Sequence, residues 1–499
     1  MRNFIFSLLF LSLVGFSPNA TMRIFLIGDS TMADKPIIDN PEHGWGQMLP
    51  IFFTRNVAIF NYAKNGRSTR SFLYEGRWDS VVHQLREGDY VFIQFGHNDS
   101  KKDDTSRYAA PRTDYKNNLL RFVREAREKK AIPVLLTPVN RRKYDSSGKF
   151  IDQHGEYPDV VREIATAENV PFIDLHKKSK TLLEKLGPEE SKKLFLLSVQ
   201  PNIYHALPNG KDDNTHFTRV GAAQIAQLVV KGIQESHLPL EKEIVWKELS
   251  DLRGLGKVIG LDEYYNNEWR KKNKTHTVRY HYTWDDSLDS GFSELAKVFD
   301  REGADPDTIQ TAPTEKSLNR FGVYIIVDPD TPKESDAPNY LQEKEIDVIE
   351  QWVKNGGVLV LLGNDSSNAE FDHFNKLAGR FGIQFNYDSK HYFRDTQKDY
   401  KLGWSSNLSS HPLFKNVNGV FIKQISSLSL TPPAKEILGE NGFTIMAESH
   451  AGKGMVFAIG DPWLYNEYMD NSRLLLGYEN YPAAVSFVRW ICENAQKTR

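Results

Sequence analysis

Cysteine is nearly absent. Cys492 is the only one in the 499-residue chain, so no internal disulfide can form, and no cysteine stands near Ala20 to carry a lipid. Long apolar runs are missing after the first twenty residues, which leaves no candidate membrane span. Basic runs dense enough for a nucleic-acid surface are missing as well. The chain has no Walker loop, no H-E-x-x-H and no Cys/His zinc spacing, and Gly254-Leu255-Gly256 with Gly260 misses G-x-G-x-x-G by one residue. No cofactor or metal is therefore expected. Low-complexity tracts and short-period repeats are absent too.

What is present reads as globular. Hydrophobic residues make up 40% and charged residues 26%, a balance too apolar for disorder and too charged for a membrane protein. The length suits two or three domains. At the N-terminus Arg2 precedes an uncharged run from Phe4 to Phe16 and the exit Ser17-Pro18-Asn19-Ala20. That is the pattern of a cleaved secretory signal over residues 1–20. Export with a single cysteine points to a bacterial periplasmic or secreted protein.

The net charge of -2 conceals two halves of opposite sign. Residues 21–238 carry 32 Lys and Arg against 27 Asp and Glu, whereas residues 239–499 carry 30 against 38. A mildly basic first half suits an anionic substrate.

Hydrophobic periodicity organises both halves. In the first, apolar runs at Ile24–Ile27, Ala58–Tyr62, Tyr90–Phe95, Pro133–Leu136 and Phe172–Asp174 read as strands. Between them lie amphipathic segments such as Tyr115–Lys129, with Leu119, Phe122, Val123 and Ala126 on one face. Gly221–Ser236 reads as a closing helix. Strand alternating with helix implies a parallel sheet covered on both faces. A linker is expected over 239–256, around Pro239 and two glycines. The alternation then restarts, with strands at Val258–Leu261, Val323–Val327, Val358–Leu362 and Met455–Ile459. Helices are expected at Phe292–Arg301 and Glu345–Lys354, through Phe371 to Phe381, and from Pro482 to the end. The fold class is α/β, as two three-layer α/β/α domains over 21–238 and 257–499.

The first strand runs into Gly28-Asp29-Ser30. Alone, that is the composition of an ordinary strand-to-helix turn. Three other segments change its meaning: Ala63-Lys64-Asn65-Gly66-Arg67-Ser68 after the second strand, Gly96-His97-Asn98-Asp99 after the third, and Asp213-Asn214-Thr215-His216 before the closing helix. In a parallel sheet the loops at the carboxyl ends of the strands share one crevice. Acyl transfer needs a nucleophile, a base, a group that orients the base, and donors for the oxyanion. Ser30 can be the first, His216 the second and Asp213 the third. The donors would be the N–H groups of Ser30 and Gly66 and the amide of Asn98. The candidate catalytic set is Ser30, Asp213 and His216, with Ser30, Gly66 and Asn98 as oxyanion hole.

These blocks, GDS at 28–30, Gly66, GHND at 96–99 and DNTH at 213–216, resemble the four motif blocks of the GDSL, or SGNH, hydrolase superfamily. The stretches GDSTMADK, GWGQ at 44–47, PVNRRKYDSSGKFIDQHGEYP from Pro138 and DNTHFTRVGA are similar to its rhamnogalacturonan acetylesterase branch. The resemblance covers about residues 22–237. It implies a flavodoxin-like fold, the same triad and oxyanion hole, and removal of O-acetyl groups from pectic polysaccharide through an acetyl-serine intermediate. The implied partner is an acetylated, anionic polysaccharide or oligosaccharide. His97, Arg67, Arg70 and Arg141, with Lys101 and Arg142, are candidate substrate contacts. Acetylated xylan is the alternative substrate, and a glycan-binding protein with an inactive esterase half is the alternative function.

From about Lys257 the chain resembles a glutamine-amidotransferase-like, flavodoxin-type domain. Its nucleophile turn would be Gly363-Asn364-Asp365-Ser366, which has no cysteine, so no amidotransferase activity is expected. The strands of this half run into acidic, aromatic loops holding Asp262, Tyr264, Asp328, Asp365, Asp461 and Trp463. Those loops suggest a carbohydrate-binding cleft, with Tyr264, Trp463 and Tyr465 as stacking faces.

Overall fold

The computed structural model describes residues 22–498 except 55, 198, 205–206, 272–274, 289, 392–402, 467–468 and 470–478. The expected signal segment, 1–20, lies outside the described residues.

Five parallel strands form the first sheet: β1 Met22–Gly28, β2 Val57–Asn61, β3 Tyr90–Gln94, β4 Ile132–Leu136 and β5 Phe172–Ile173. Their order is β2-β1-β3-β4-β5, that of doubly wound flavodoxin-like sheets, whose ligand crevice opens at the carboxyl ends beside the first strand. Alternate residues of β1 explain its near-continuous apolar sequence. Ile24 and Leu26 face a core shared with Ala222, Ala223 and Val229, while Phe25 and Ile27 face one shared with Phe122, Val123 and Val160. Helices α1 Thr69–Tyr74, α2 Lys116–Glu128, α3 Tyr157–Ala167, α4 Leu175–Glu190 and α5 Arg219–Glu235 cover the sheet.

Residues 239–256 lie against this first core, with Leu240 and Leu252 buried in it. The segment between the halves is thus bound to the first by its own apolar residues.

The second sheet begins with the parallel strands β6 Val258–Asp262, β7 Asp305–Ile309, β8 Val323–Val327 and β9 Val358–Leu362. It is extended by β10 Ile383–Phe385, β11 Leu428–Leu430, β12 Lys435–Glu440 and β13 Phe443–Ala451, and by β14 Gly454–Ile459, which is parallel to β9. The order is β7-β6-β8-β9-β14-β13-β11-β10, with β12 also on β13 and antiparallel pairing beyond β14. Helices α6 Ser293–Arg301, α7 Glu343–Lys354, α8 Phe371–Gly379 and α9 Asn480–Asn494 pack on its faces. The antiparallel extension and β7 go beyond the sequence expectation, because their polar residues break the apolar pattern.

The halves meet beside a cleft of about 1210 Å³, walled by Ile51 and Phe53 from one and Trp284 and Val485 from the other. No helix among the described residues is long and apolar enough to cross a membrane.

Candidate active site

At the carboxyl end of β1 the chain turns sharply around Asp29. Its Oδ1 accepts hydrogen bonds from Thr31 N at 2.9 Å and Thr31 Oγ1 at 2.8 Å, and its backbone carbonyl accepts from the N–H groups of Met32 and Ala33. Gly28 is required there, since a Cβ would stand 2.7 Å from the carbonyl oxygen of Gln94. The GWGQ stretch braces the turn from below. Trp45 Nε1 donates to Gln94 Oε1 at 2.7 Å, Gln94 Nε2 donates to Thr31 Oγ1 at 3.0 Å, and Gln47 Oε1 accepts from Lys35 N. Ser30 is left at the crest.

Ser30 Oγ lies 2.9 Å from His216 Nε2, and His216 Nδ1 lies 2.7 Å from Asp213 Oδ2. A carboxylate can only accept, so Nδ1 carries the imidazole proton and Nε2 is the acceptor for the serine hydroxyl. Asp213 Oδ1 accepts from the N–H groups of Thr215 at 2.7 Å and His216 at 3.1 Å. Burial raises the Asp213 pKa, but the bonds and charge of His216 and the two amides outweigh it and hold the carboxyl well below the usual range. The segment is anchored by backbone bonds between Asp213 N and Leu196 O and between Leu196 N and His216 O. Arg142 adds its N–H and guanidinium on Asn214.

Gly66 has φ +76°, a conformation that favours glycine, and its loop exposes the backbone. The N–H groups of Ser30 and Gly66 donate to no group among the described residues. Asn98 Nδ2 donates one hydrogen to Arg67 O at 3.0 Å, which ties the third loop to the second. Asp99 strengthens that tie by accepting from both Thr69 N and Thr69 Oγ1 at the start of α1. Burial, with the Asp29 charge adding to it, raises the Asp99 carboxyl to about 7 despite these bonds, and its Oδ2 has no hydrogen-bond partner among the described residues.

Of the candidate substrate contacts, the structure brings some to the site and sends others away. His97 is buried behind Ser30 and donates from Nδ1 to Asp29 Oδ2 at 3.0 Å. Burial pushes the His97 imidazole down. Burial would raise Asp29, but His97 and Thr31 hold it at about 2, so it stays ionised. Arg141 is committed through Nη2 to the carbonyl of His97. Arg67 pairs with Glu75, Arg70 with Asp114 at the surface, and Arg142 serves the base loop. Lys101 stays near the site. Burial and the adjacent charges of Arg107 and Arg141 lower its ammonium pKa. Arg107 escaped sequence reasoning, although a Cβ on Gly66 would lie 3.7 Å from its Nη1. Nothing in the local sequence distinguishes it from the many surface arginines.

In the second half the strand-end aspartates mostly close turns. Asp262 accepts from Tyr264 N, Tyr265 N and Tyr324 Oη, and burial raises it to about 6. Asp328 accepts from Asn364 Nδ2, Asp365 from Ser367 N, and Asp461 from Trp463 N. Burial pushes Asp328 and Asp461 up strongly. Trp463 carries the Lys423 ammonium 3.4 Å from its ring centre, and Tyr264 packs edge-on to Tyr265. Tyr465 is not a stacking face: it is fully buried, with its ring 4.2 Å from that of Phe487, because α9 covers it. No group of three or more His, Cys, Asp or Glu side chains able to hold a metal lies among the described residues.

Residues 26–222 match the GDSL-like Lipase/Acylhydrolase family. Over 227 residues the chain is 44% identical to "Rhamnogalacturonan acetylesterase RhgT" of Bacillus subtilis (strain 168), an alignment covering 46% of this chain and 96% of that protein. It is 37% identical to "Probable rhamnogalacturonan acetylesterase YesY" of the same organism, over 45% of this chain and 97% of that protein. Among solved structures, protein YXIM of Bacillus subtilis is similar at 25% identity and a TM-score of 0.38, over 44% of this chain and 58% of that one.

Proposed function

The chain belongs to the GDSL-like lipase/acylhydrolase family, and on that footing we propose that its first half is a serine esterase removing O-acetyl groups from pectic polysaccharide, with Ser30, His216 and Asp213 as its triad. The observation that carries the reading is the continuous hydrogen-bonded line from Ser30 Oγ through the His216 imidazole to Asp213. Relatives named as rhamnogalacturonan acetylesterases support the substrate class.

Ser30 Oγ attacks the acetyl carbonyl carbon while its proton passes to His216 Nε2. The carboxylate of Asp213 holds the imidazole tautomer and stabilises the cation that forms. The oxyanion receives the N–H groups of Ser30 and Gly66 and the second Nδ2 hydrogen of Asn98. Collapse expels the sugar alcohol, which takes the proton from His216 and leaves acetyl-Ser30. Water, deprotonated by His216, then attacks the acetyl carbon; the bond to Ser30 Oγ breaks, acetate leaves, and His216 returns the proton to Ser30. Lys101 and Arg141 stand on one flank of the site beside Arg107, which is paired with Asp104, and their charge favours an acidic sugar such as galacturonate beside the acetylated residue.

The domain division is 21–238, linker 239–256 and 257–499, after an export signal over 1–20 that would send the protein to a bacterial periplasm or outside the cell. The second half is a glutamine-amidotransferase-like accessory domain that lacks the cysteine at 363–366. Tyr264 and Trp463 are the partly exposed side chains at which it would meet polysaccharide, with buried Asp262, Asp328, Asp365 and Asp461 shaping the turns that carry that edge.

The test is acetate release from acetylated rhamnogalacturonan and from acetylated xylan by the native chain and by Ser30→Ala. Equal release by both proteins overturns the mechanism. Release by the native chain from xylan alone overturns the substrate. Deleting 257–499 with unchanged affinity for polymer removes the accessory-cleft reading.

A further inference from the structure

Four charged or ionisable side chains are buried where the halves touch. His43 and Arg219 come from the first half, Asp300 and Asp305 from the second, and all are less than a tenth exposed. His43 Nε2 lies 2.7 Å from Asp300 Oδ1, which also takes Arg219 Nη2 at 2.9 Å and Nε at 3.2 Å. Arg219 Nη1 pairs with Asp305. Gln47 Nε2 reaches Asp300 Oδ2 at 3.4 Å, and Asp39 N donates to Pro306 O at 3.0 Å. Burial alone would raise Asp300, yet His43 and Arg219 hold it well below the usual carboxylate range.

The placement gives this cluster a consequence for catalysis. Arg219 is the first residue of α5, three residues after His216. The two residues between them, Phe217 and Thr218, form a short strand paired antiparallel with Glu42–His43, with His43 opposite Phe217. Asp300 therefore grips one strand of that ribbon through His43 and, through Arg219, the helix start that follows the other. The opposite flank of the base loop is held within the first half, by Leu196 and Arg142. Removing one partner of a buried ionic cluster leaves an uncompensated charge, which the segment relieves by moving. The 2.9 Å contact between His216 and Ser30 tolerates little of this, since a displacement of about 1 Å can cost about 100-fold in rate.

We propose that Asp300 and Asp305 are positioning residues for the esterase reaction, so that the second half, through Arg219 and His43, sets His216 against Ser30. The inference rests on the triad reading above. It also gives the second half a role toward esters too small to reach it.

The experiment uses the full chain and 4-nitrophenyl acetate, whose single acetyl group engages only Ser30 and its neighbours. Asp300→Asn is expected to lower kcat at least 10-fold with KM within 2-fold, and to slow labelling of Ser30 by a fluorophosphonate to a similar degree. Asp300→Glu should recover most of both rates. Glu302→Gln weakens a different buried ionic contact, with Lys247 of the linker segment and Arg489 of the second half itself, and should lower the melting temperature without lowering kcat. Native kcat in folded Asp300→Asn overturns the proposal, as does an equal kcat loss in Glu302→Gln. If Asp300→Asn does not fold, His43→Gln and Asp305→Asn are measured in its place, and native kcat in both overturns the proposal in the same way. Loss of activity in Ser30→Ala together with native kcat in Asp300→Asn would sink this inference alone. Undiminished activity in Ser30→Ala would sink the triad reading itself.

Discussion

Replacing Asp213 by Asn should be far more damaging than the loss of one charge suggests. Oδ1 of Asp213 accepts from two backbone N–H groups, at 2.7 and 3.1 Å. An asparagine keeps its carbonyl oxygen toward those donors, because the opposite orientation would set NH2 against N–H. Its Nδ2 is then turned toward His216 Nδ1, which stands 2.7 Å from the present Oδ2. A donor there forces the imidazole to carry its proton on Nε2, facing Ser30 Oγ, and a protonated Nε2 cannot accept the serine proton. The base is present in the wrong tautomer. For triads of this kind the expected loss in kcat is about 10⁴-fold, or about 5 kcal/mol in the barrier. KM should change little, because Asp213 does not touch the acetyl group. Steady-state hydrolysis of 4-nitrophenyl acetate reads both constants, and titration with a fluorophosphonate reads the reactivity of Ser30 separately. An Asp213→Asn protein within 10-fold of native kcat would refute the tautomer argument.

Three more outcomes are expected. Asn98→Ala removes one oxyanion donor and should lower kcat by about 10² to 10³ with KM nearly constant; steady-state kinetics showing a rise in KM alone would assign Asn98 to binding instead. Gly221→Ala places a methyl carbon 1.9 Å from the carbonyl oxygen of Leu194 at the start of α5, and urea unfolding should show a loss of about 2 kcal/mol; unchanged stability would mean that α5 shifts freely. Asp99 is fully buried, and its carboxyl is raised from 3.8 to about 7. The raised folded value means that its contribution is fully present below about 4 and is lost as pH climbs toward 7. At roughly 1.4 kcal/mol per unit the loss is about 4 kcal/mol. Asp99→Asn should flatten that part of the stability profile in calorimetry between pH 4.5 and 8, and an unchanged slope would refute the assignment.

The strands buried on both faces were readable because each is an unbroken apolar run. Val323–Val327 and Val358–Leu362 begin and end where the pattern says. The edge strand Asp305–Ile309 was not readable, since Asp305, Pro306 and Asp307 carry no strand pattern. Its pairing with β6 and the arginine from the other half hold it in place. Among the site loops, Gly28-Asp29-Ser30 and Asp213 to His216 declare their chemistry by residue type and by position at strand ends. The cationic contacts do not. Arg70 turns to Asp114 at the surface, whereas Arg107 comes up beside Gly66, and side chains so long and flexible take their direction from neighbours distant in the chain.

Local chemistry and periodicity determined the two alternating α/β halves, the Ser30 turn, and the loops that hold Gly66, Asn98 and Asp213 to His216, because each depends on residues within a few positions of one another. Tertiary structure alone decided the partner of Asp29, the burial of Tyr465, which cations flank the site, and the junction of His43 and Arg219 with Asp300 and Asp305. Each of those is a contact between residues far apart in the chain, and its energy comes from burial that only the packed sheets and helices create.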